Sequence, residues 1–333
     1  MKVFHKTLIT AGLCVSLALC AVGCGKAAPD GNQTVATVGE KEMKLGEANF
    51  LLRLQQVQTE GYYESMLGSG FYDKDLYGNG TTYGQSFKEN VMNQMQEYYI
   101  LDEKAADYGV ALTEEETAKI TEAATEFLEA NEKATKEQMT ADQATVERVL
   151  TLMTVGSKVT KQIYAEANVT VTDEEAAQRG FSYVSVSKGS GDNALSEEEI
   201  QQNKEKLSEI AEKVKGGTAI DEAATEAELT ASSGSYSEDN TGYYDEALIL
   251  ALNALKEGEV SDVVETDTQL YVAQLTAELD EEATAQRKQS LISSKQAEYY
   301  NGLLTTWKSE YPLTVEESVW KQVVFDRSYD LAQ

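Results

Sequence analysis

The residue types that could do chemistry are unusually few. The single histidine is His5, and the cysteines are Cys14, Cys20 and Cys24, all close to the start of a 333-residue chain. Everything after Cys24 therefore lacks the imidazole and thiol that Ser–His or Cys–His nucleophile systems need. It also lacks the ligands for a His/Cys zinc or copper site and the pairs for structural disulfides. Carboxylate, hydroxyl and amide groups remain, and with them either acid–base work or recognition without covalent chemistry. One metal-like spacing occurs, Asp73-x-Asp75-x-Tyr77-Gly78, the shape of half a calcium loop. Such a loop needs an oxygen ligand at its fifth position and a bidentate Glu at its twelfth, where Tyr77 and Gly84 stand. No metal and no cofactor are expected.

Charge narrows the partners. The formal net charge is −29, and residues 1–23 hold Lys2 and Lys6 but no acid, so the remainder is more acidic still. That surface repels nucleic-acid phosphates and anionic headgroups. It suits a basic, unfolded polypeptide, or simply keeps an exported chain soluble.

Residues 1–23 read as a secretory signal: basic Lys2 and Lys6, the apolar run Leu8–Val22, then small residues, too short for a comfortable spanning helix. Ala21-Val22-Gly23-Cys24 resembles a bacterial lipobox, with Gly23 at the cleavage point and Cys24 carrying the lipid; Leu17-Ala18-Leu19-Cys20 is the poorer alternative. Two acyl chains would anchor the chain stably to the extracytoplasmic face of the cell membrane. Residues 24–33 are a polar tether.

The elements that must position the remaining chemistry follow from periodicity. Thr34–Val38 alternates as a strand and turns at Gly39-Glu40; Leu45–Gln58 reads as a helix. Residues 61–84 break the pattern with Tyr62, Tyr63, Phe71, Tyr72, Tyr77 and Tyr83 among glycines, either an adaptable aromatic surface or a loop packing its own rings. Phe87, Val91, Met95 and Tyr98 stripe the next helix, and Val146, Leu150, Met153, Val159 and Ile163 a later one. Capping boxes open helices at Thr113, Thr172 and Ser196. No proline lies between Pro29 and Pro312, which suits long uninterrupted helices. Glu281–Ser309 is a long helix, and Ser318–Phe325 alternates like a strand or a short amphipathic tail.

Between these helices lies a block with period-2 strands at both ends, Phe181–Val186 and Gln269–Leu275, and helices between them, a small α+β domain. Its order of strand, helices, helix Glu246–Leu255, strand, strand resembles the parvulin family of peptidyl-prolyl isomerases, and Leu255-Lys256-Glu257-Gly258-Glu259-Val260-Ser261 carries the most specific likeness. The chain as a whole is similar to extracytoplasmic foldase lipoproteins of the PrsA/SurA-like type. The resemblance implies an α+β protein: helical segments 34–176 and 281–333 forming one discontinuous chaperone-like domain around a parvulin-like domain at 177–280.

Carried over by position, the two parvulin histidines fall at Tyr183 and Tyr271, the pocket Phe at Leu248, and the Asp or Cys near Ser232. The glycine-rich approach to the second strand is reduced to a stretch ending in Tyr243 and Tyr244. These six residues are the candidates for a peptide groove, with no catalytic residue secured. Tyr183 and Tyr271 could exchange a hydroxyl hydrogen bond, or be ordinary strand aromatics. Isomerisation about X–Pro needs no nucleophile, only complementarity to the twisted amide. With each distinctive polar position changed, the expectation is a lipid-anchored chaperone for unfolded exported polypeptides with a weak or inactive isomerase domain. The alternatives are an active isomerase and an adaptor with one fixed partner.

Overall fold

The structure, a computed structural model, describes residues 28–237, 244–329 and 331. In chain order the elements are β1 (Thr34–Val38), β2 (Lys41–Lys44), α1 (Leu45–Leu67), α2 (Tyr83–Lys104), α3 (Glu114–Ala130), α4 (Lys133–Gln138) and α5 (Gln143–Glu166). There follow α6 (Asp173–Ala176), β3 (Arg179–Ser187), α7 (Glu197–Lys215), α8 (Ile220–Glu226), β4 (Ala231–Tyr236), α9 (Glu246–Asn253), β5 (Val264–Glu265) and β6 (Gln269–Ala277). The chain closes with α10 (Glu281–Glu310), β7 (Leu313–Val315) and α11 (Glu317–Trp320). The fold class is α+β. The described residues form two compact units, the first from 28–168 and 298–329, the second from 169–297. Among the described residues no helix is long and apolar enough to cross a membrane.

In the first unit a small antiparallel sheet of order β2-β1-β7 joins sequence-distant segments, with Thr37 opposite Thr314 and Val38 opposite Leu313. Val35, Phe50, Leu52, Met95, Ile100, Val149, Leu152 and Ile163 make the core, and Leu304 and Trp307 of α10 close it. The helix starts are local chemistry: Thr113 Oγ1 accepts from the Glu116 amide while Glu116 Oε2 accepts from the Thr113 amide, and Thr172/Glu175 repeats the arrangement in the second unit.

Two stretches differ from the sequence reading. α1 runs on through Gly61 to Leu67, because the ring of Tyr63 packs 6.0 Å from Phe71 and 5.4 Å from Tyr83. The turn after it buries Phe71 and Tyr72, so this part of the aromatic loop packs its own rings. Residues 323–329 form neither strand nor helix; they run against α1 and α2. There Phe325 stacks on Tyr72 with centroids 4.0 Å apart, and Gly84 makes room, since a Cβ on it would lie 2.9 Å from the Tyr72 carbonyl oxygen and 3.0 Å from the Phe325 ring.

In the second unit the sheet has order β4-β3-β6-β5, antiparallel throughout. Alternation along β3 and β6 gives it two apolar faces. Val184, Leu270 and Val272 pack under α7 (Leu207, Ile210, Ala211, Val214) and α8 (Ile220, Ala223, Ala224), whose spacing is that of an amphipathic helix. Phe181, Ala273, Leu275 and Tyr236 face the other way, under α9. The Gly258 stretch returns the chain from α9 to β6. Gly258 takes φ +86°, a left-handed conformation natural to glycine. Its amide donates to the Leu275 carbonyl at 2.8 Å, and Ser261 exchanges hydrogen bonds with the backbone of Ala273.

Candidate functional site

The face of the second sheet that carries α9 is built of phenols. Cross-strand register places Tyr183 between Ser232 of β4 and Ala273 of β6, so its ring has small neighbours on both sides. Phe181, two residues earlier on the same face, is 1% exposed and supports the cluster. Its ring lies 5.5 Å from Tyr183, 5.7 Å from Tyr236 and 4.9 Å from Tyr244. Tyr244 and Tyr271 each stand 6.1 Å from Tyr183. Tyr183, Tyr244 and Tyr271 are half-buried, and Ser232 is exposed. These separations suit edge-to-face and offset aromatic packing.

The seat of Tyr244 is a missing side chain. A Cβ on Gly234 would lie 2.1 Å from the Tyr244 hydroxyl and 3.2 Å from the Phe181 ring. Gly234→Ala must therefore displace the Tyr244 ring, and a loss of about 1–3 kcal/mol is expected from the overpacking. Chemical denaturation checks it, together with tyrosine ring resonances; an unmoved Tyr244 signal would contradict this geometry.

Of the two readings left open for Tyr183 and Tyr271, the hydroxyl exchange between them is not formed; Tyr271 bonds elsewhere. Its hydroxyl donates to Asp245 Oδ2 at 2.5 Å. Burial, and then the Asp245 carboxylate, push the Tyr271 phenol well above its usual range, so it stays protonated. Burial, and secondarily Tyr183, also raise Tyr244. Asp245 stands at the N-cap of α9 without capping it, which is why a sequence reader would assign it to the helix start rather than to this face. The far end is fixed by Arg179, whose Nη1 donates to the Tyr236 hydroxyl at 3.0 Å and whose Nη2 donates to the Leu255 carbonyl at 3.0 Å.

Of the six candidates, Tyr183, Ser232, Tyr244 and Tyr271 come together on this face. Leu248 is a correction: it is 0% exposed, on the inner face of α9 with Ile249 and Leu252 against the sheet, and lines no groove. The outward residue of that helix is Leu250, 72% exposed. Tyr243 and Cys24 lie outside the described residues. Phe181, Gly234 and Asp245 were not singled out from the sequence. Asp75, in the calcium-like stretch, spends its carboxylate on the amides of Gly80 and Asn79 at 2.8 and 3.2 Å. Among the described residues no group of three or more His, Cys, Asp or Glu could hold a metal ion.

The chain is similar to PrsA and SurA-like foldases. A foldase protein PrsA from Lactococcus lactis is 13% identical, over 87% of this chain and 98% of that one, at a TM-score of 0.36. A structure of SurA-like chaperones from Campylobacter jejuni is 10% identical over 85% and 99%, at 0.30. The foldase PrsA of Streptococcus pneumoniae is 18% identical over 75% and 97%, at 0.31. No family model matches the chain, and no curated protein matches it.

Proposed function

We propose that this chain is an extracytoplasmic chaperone, anchored through lipid on Cys24, that holds unfolded exported polypeptides, and that its inserted module grips them on the Tyr183–Tyr244–Tyr271 face. The observation that carries the reading is the character of that face: half-exposed rings on a rigid sheet, with no imidazole or thiol beside them. Tyrosine offers rigid amphipathic contact area at low entropic cost, which suits clients of varied sequence. Small Ser232 and Ala273 beside Tyr183 leave room for a side chain to lie across the row. The acidic balance favours basic clients.

The same geometry argues against efficient isomerisation. A twisted prolyl amide is favoured by a donor aimed at its nitrogen, and of the hydroxyls on this face that of Tyr271 is already given to Asp245. The expected result is suppressed aggregation of several chemically unrelated unfolded proteins, with prolyl-peptide isomerisation close to the uncatalysed rate set by a barrier of about 18–20 kcal/mol. Wild-type turnover lost in Tyr183→Phe or Tyr271→Phe would overturn the inactive reading in favour of an isomerase. Capture of one folded protein alone would replace the chaperone reading with an adaptor.

A further inference from the structure

The two sheets end in the strands β2, β7, β4 and β5, and three of these edges are guarded. β2 carries Lys41, Glu42 and Lys44, β7 is three residues long, and β5 is two residues long with Glu265 held by Lys188 and Lys204. Shortness and charge of this kind keep an edge from pairing with another chain. β4 has neither guard. Its six residues, Ala-Ser-Ser-Gly-Ser-Tyr, hold no charge and no proline, and its register against β3 runs from Tyr236 to Ala231 without a bulge.

The phase of the hydrogen bonds fixes which groups of β4 face outward. On β6, Ala273 and Leu275 turn their backbone away from β3: the Ser261 amide donates to the Ala273 carbonyl at 2.7 Å, and Leu275 bonds to Gly258 and Glu259 at 2.8 and 3.0 Å. Alternation then makes Val272 and Gln274 the residues bonded to β3, through Val184 and Ser182, and turns Phe181 and Tyr183 towards β4. Their partners there are Gly234 and Ser232. The amides and carbonyls of Ala231, Ser233 and Ser235 therefore point off the sheet, and among the described residues nothing else bonds to them. Ser232 and Ser233, whose side chains leave on opposite faces, are both exposed.

We propose that the outer edge of β4 is a strand-addition site, at which an extended segment of client polypeptide joins the sheet of the module. The site rests on the reading of that module as a grip for flexible chain, and it names the class of segment gripped. A row of alternating donors and acceptors is complemented by another extended backbone, whatever its side chains. An added strand lies about 4.8 Å from β4. Ser232 and Gly234 are too small to screen it from Tyr183 and Tyr244, so a large apolar side chain on it leans across β4 onto the phenol row. The segments taken are those that alternate apolar and polar side chains, as nascent strands do. Proline, which has no N–H to give the ladder, is rejected; a prolyl isomerase site selects the opposite.

The probe is a short labelled peptide alternating Tyr or Val with Lys or Thr, added to the full chain and followed by anisotropy and by amide hydrogen exchange. In the free chain the Ser232 and Gly234 amides are expected to exchange slowly and those of Ala231, Ser233 and Ser235 quickly. Saturating peptide is expected to slow the second set about tenfold. Ser233→Pro removes an outward N–H without touching the ladder to β3, and is expected to weaken binding about tenfold. Proline at two adjacent central positions of the peptide does the same from the other partner, in whichever phase the peptide binds. Exchange on the wild-type chain needs no variant, so a poorly folded Ser233→Pro leaves the test standing. Unchanged exchange at Ala231, Ser233 and Ser235 with peptide bound, or a proline-bearing peptide that binds equally well, overturns the proposal. Peptide that cross-links to a photoreactive residue at position 244 yet leaves those amides unprotected removes the edge site and keeps the phenol face; peptide that does neither removes both. Protection that rises with protein concentration in the absence of peptide gives the edge to β4 of a second copy, and also overturns the proposal.

Discussion

Phe181→Ala is expected to destabilise the second unit by about 3–5 kcal/mol, the usual cost of emptying a buried aromatic site. The ring is the floor of the tyrosine face, in contact with Tyr183, Tyr236 and Tyr244 at once. Its loss opens a cavity between β3, β4 and α9 that Gly234 and Ala273 are too small to fill. Urea denaturation, followed by circular dichroism, should show the module unfolding first and client binding falling with it. A loss under about 1 kcal/mol, or undiminished binding, would mean that the row of phenols does not depend on this support.

Arg53→Ala is expected to cost about 3 kcal/mol in the first unit. Arg53 is 4% exposed, and its guanidinium reaches Asn49 Oδ1 at 3.2 Å, Gln56 Oε1 at 2.7 Å and the Val324 carbonyl. Truncation leaves buried acceptors without a donor, at about 1–3 kcal/mol each, and removes packing under Phe325 and Tyr329. Burial already depresses the guanidinium below its usual range, with nearby Tyr329 and Asp326 opposing the shift. Arg53→Lys keeps the charge but not the planar fork, so it is expected to recover only part of the loss. A wild-type unfolding curve for Arg53→Ala would show that residues 323–329 contribute nothing to the stability of this unit.

What the sequence made legible was local. Capping boxes at Thr113, Thr172 and Ser196 need only a hydroxyl and a carboxylate three residues apart, and each one formed. Alternation at Phe181–Val186 and Gln269–Leu275 announced strands, and those strands pair. What stayed hidden depends on partners far apart in the chain. Asp245 meets Tyr271 across 26 residues, and Gly234 makes its seat by lacking a side chain, which no pattern of residue types displays. α1 continues past Gly61, although a mid-helix glycine costs about 0.5–1 kcal/mol, because Tyr63 gains the rings of Phe71 and Tyr83. Nothing in their local sequence marks Arg53 and Lys88, yet each is spent on backbone carbonyls some 230–270 residues away. Leu248 erred in the opposite direction: an apolar residue carried over by position proved to be ordinary helix–sheet core.

The most direct test of the central claim, that this molecule grips flexible polypeptide on the phenol row of its module, is photo-cross-linking from position 244. With a photoreactive phenylalanine analogue replacing Tyr244, the full chain is predicted to form adducts with several unrelated proteins when they are unfolded and with none of them when folded. No adduct with any unfolded protein, or an adduct with a single folded partner, would contradict it.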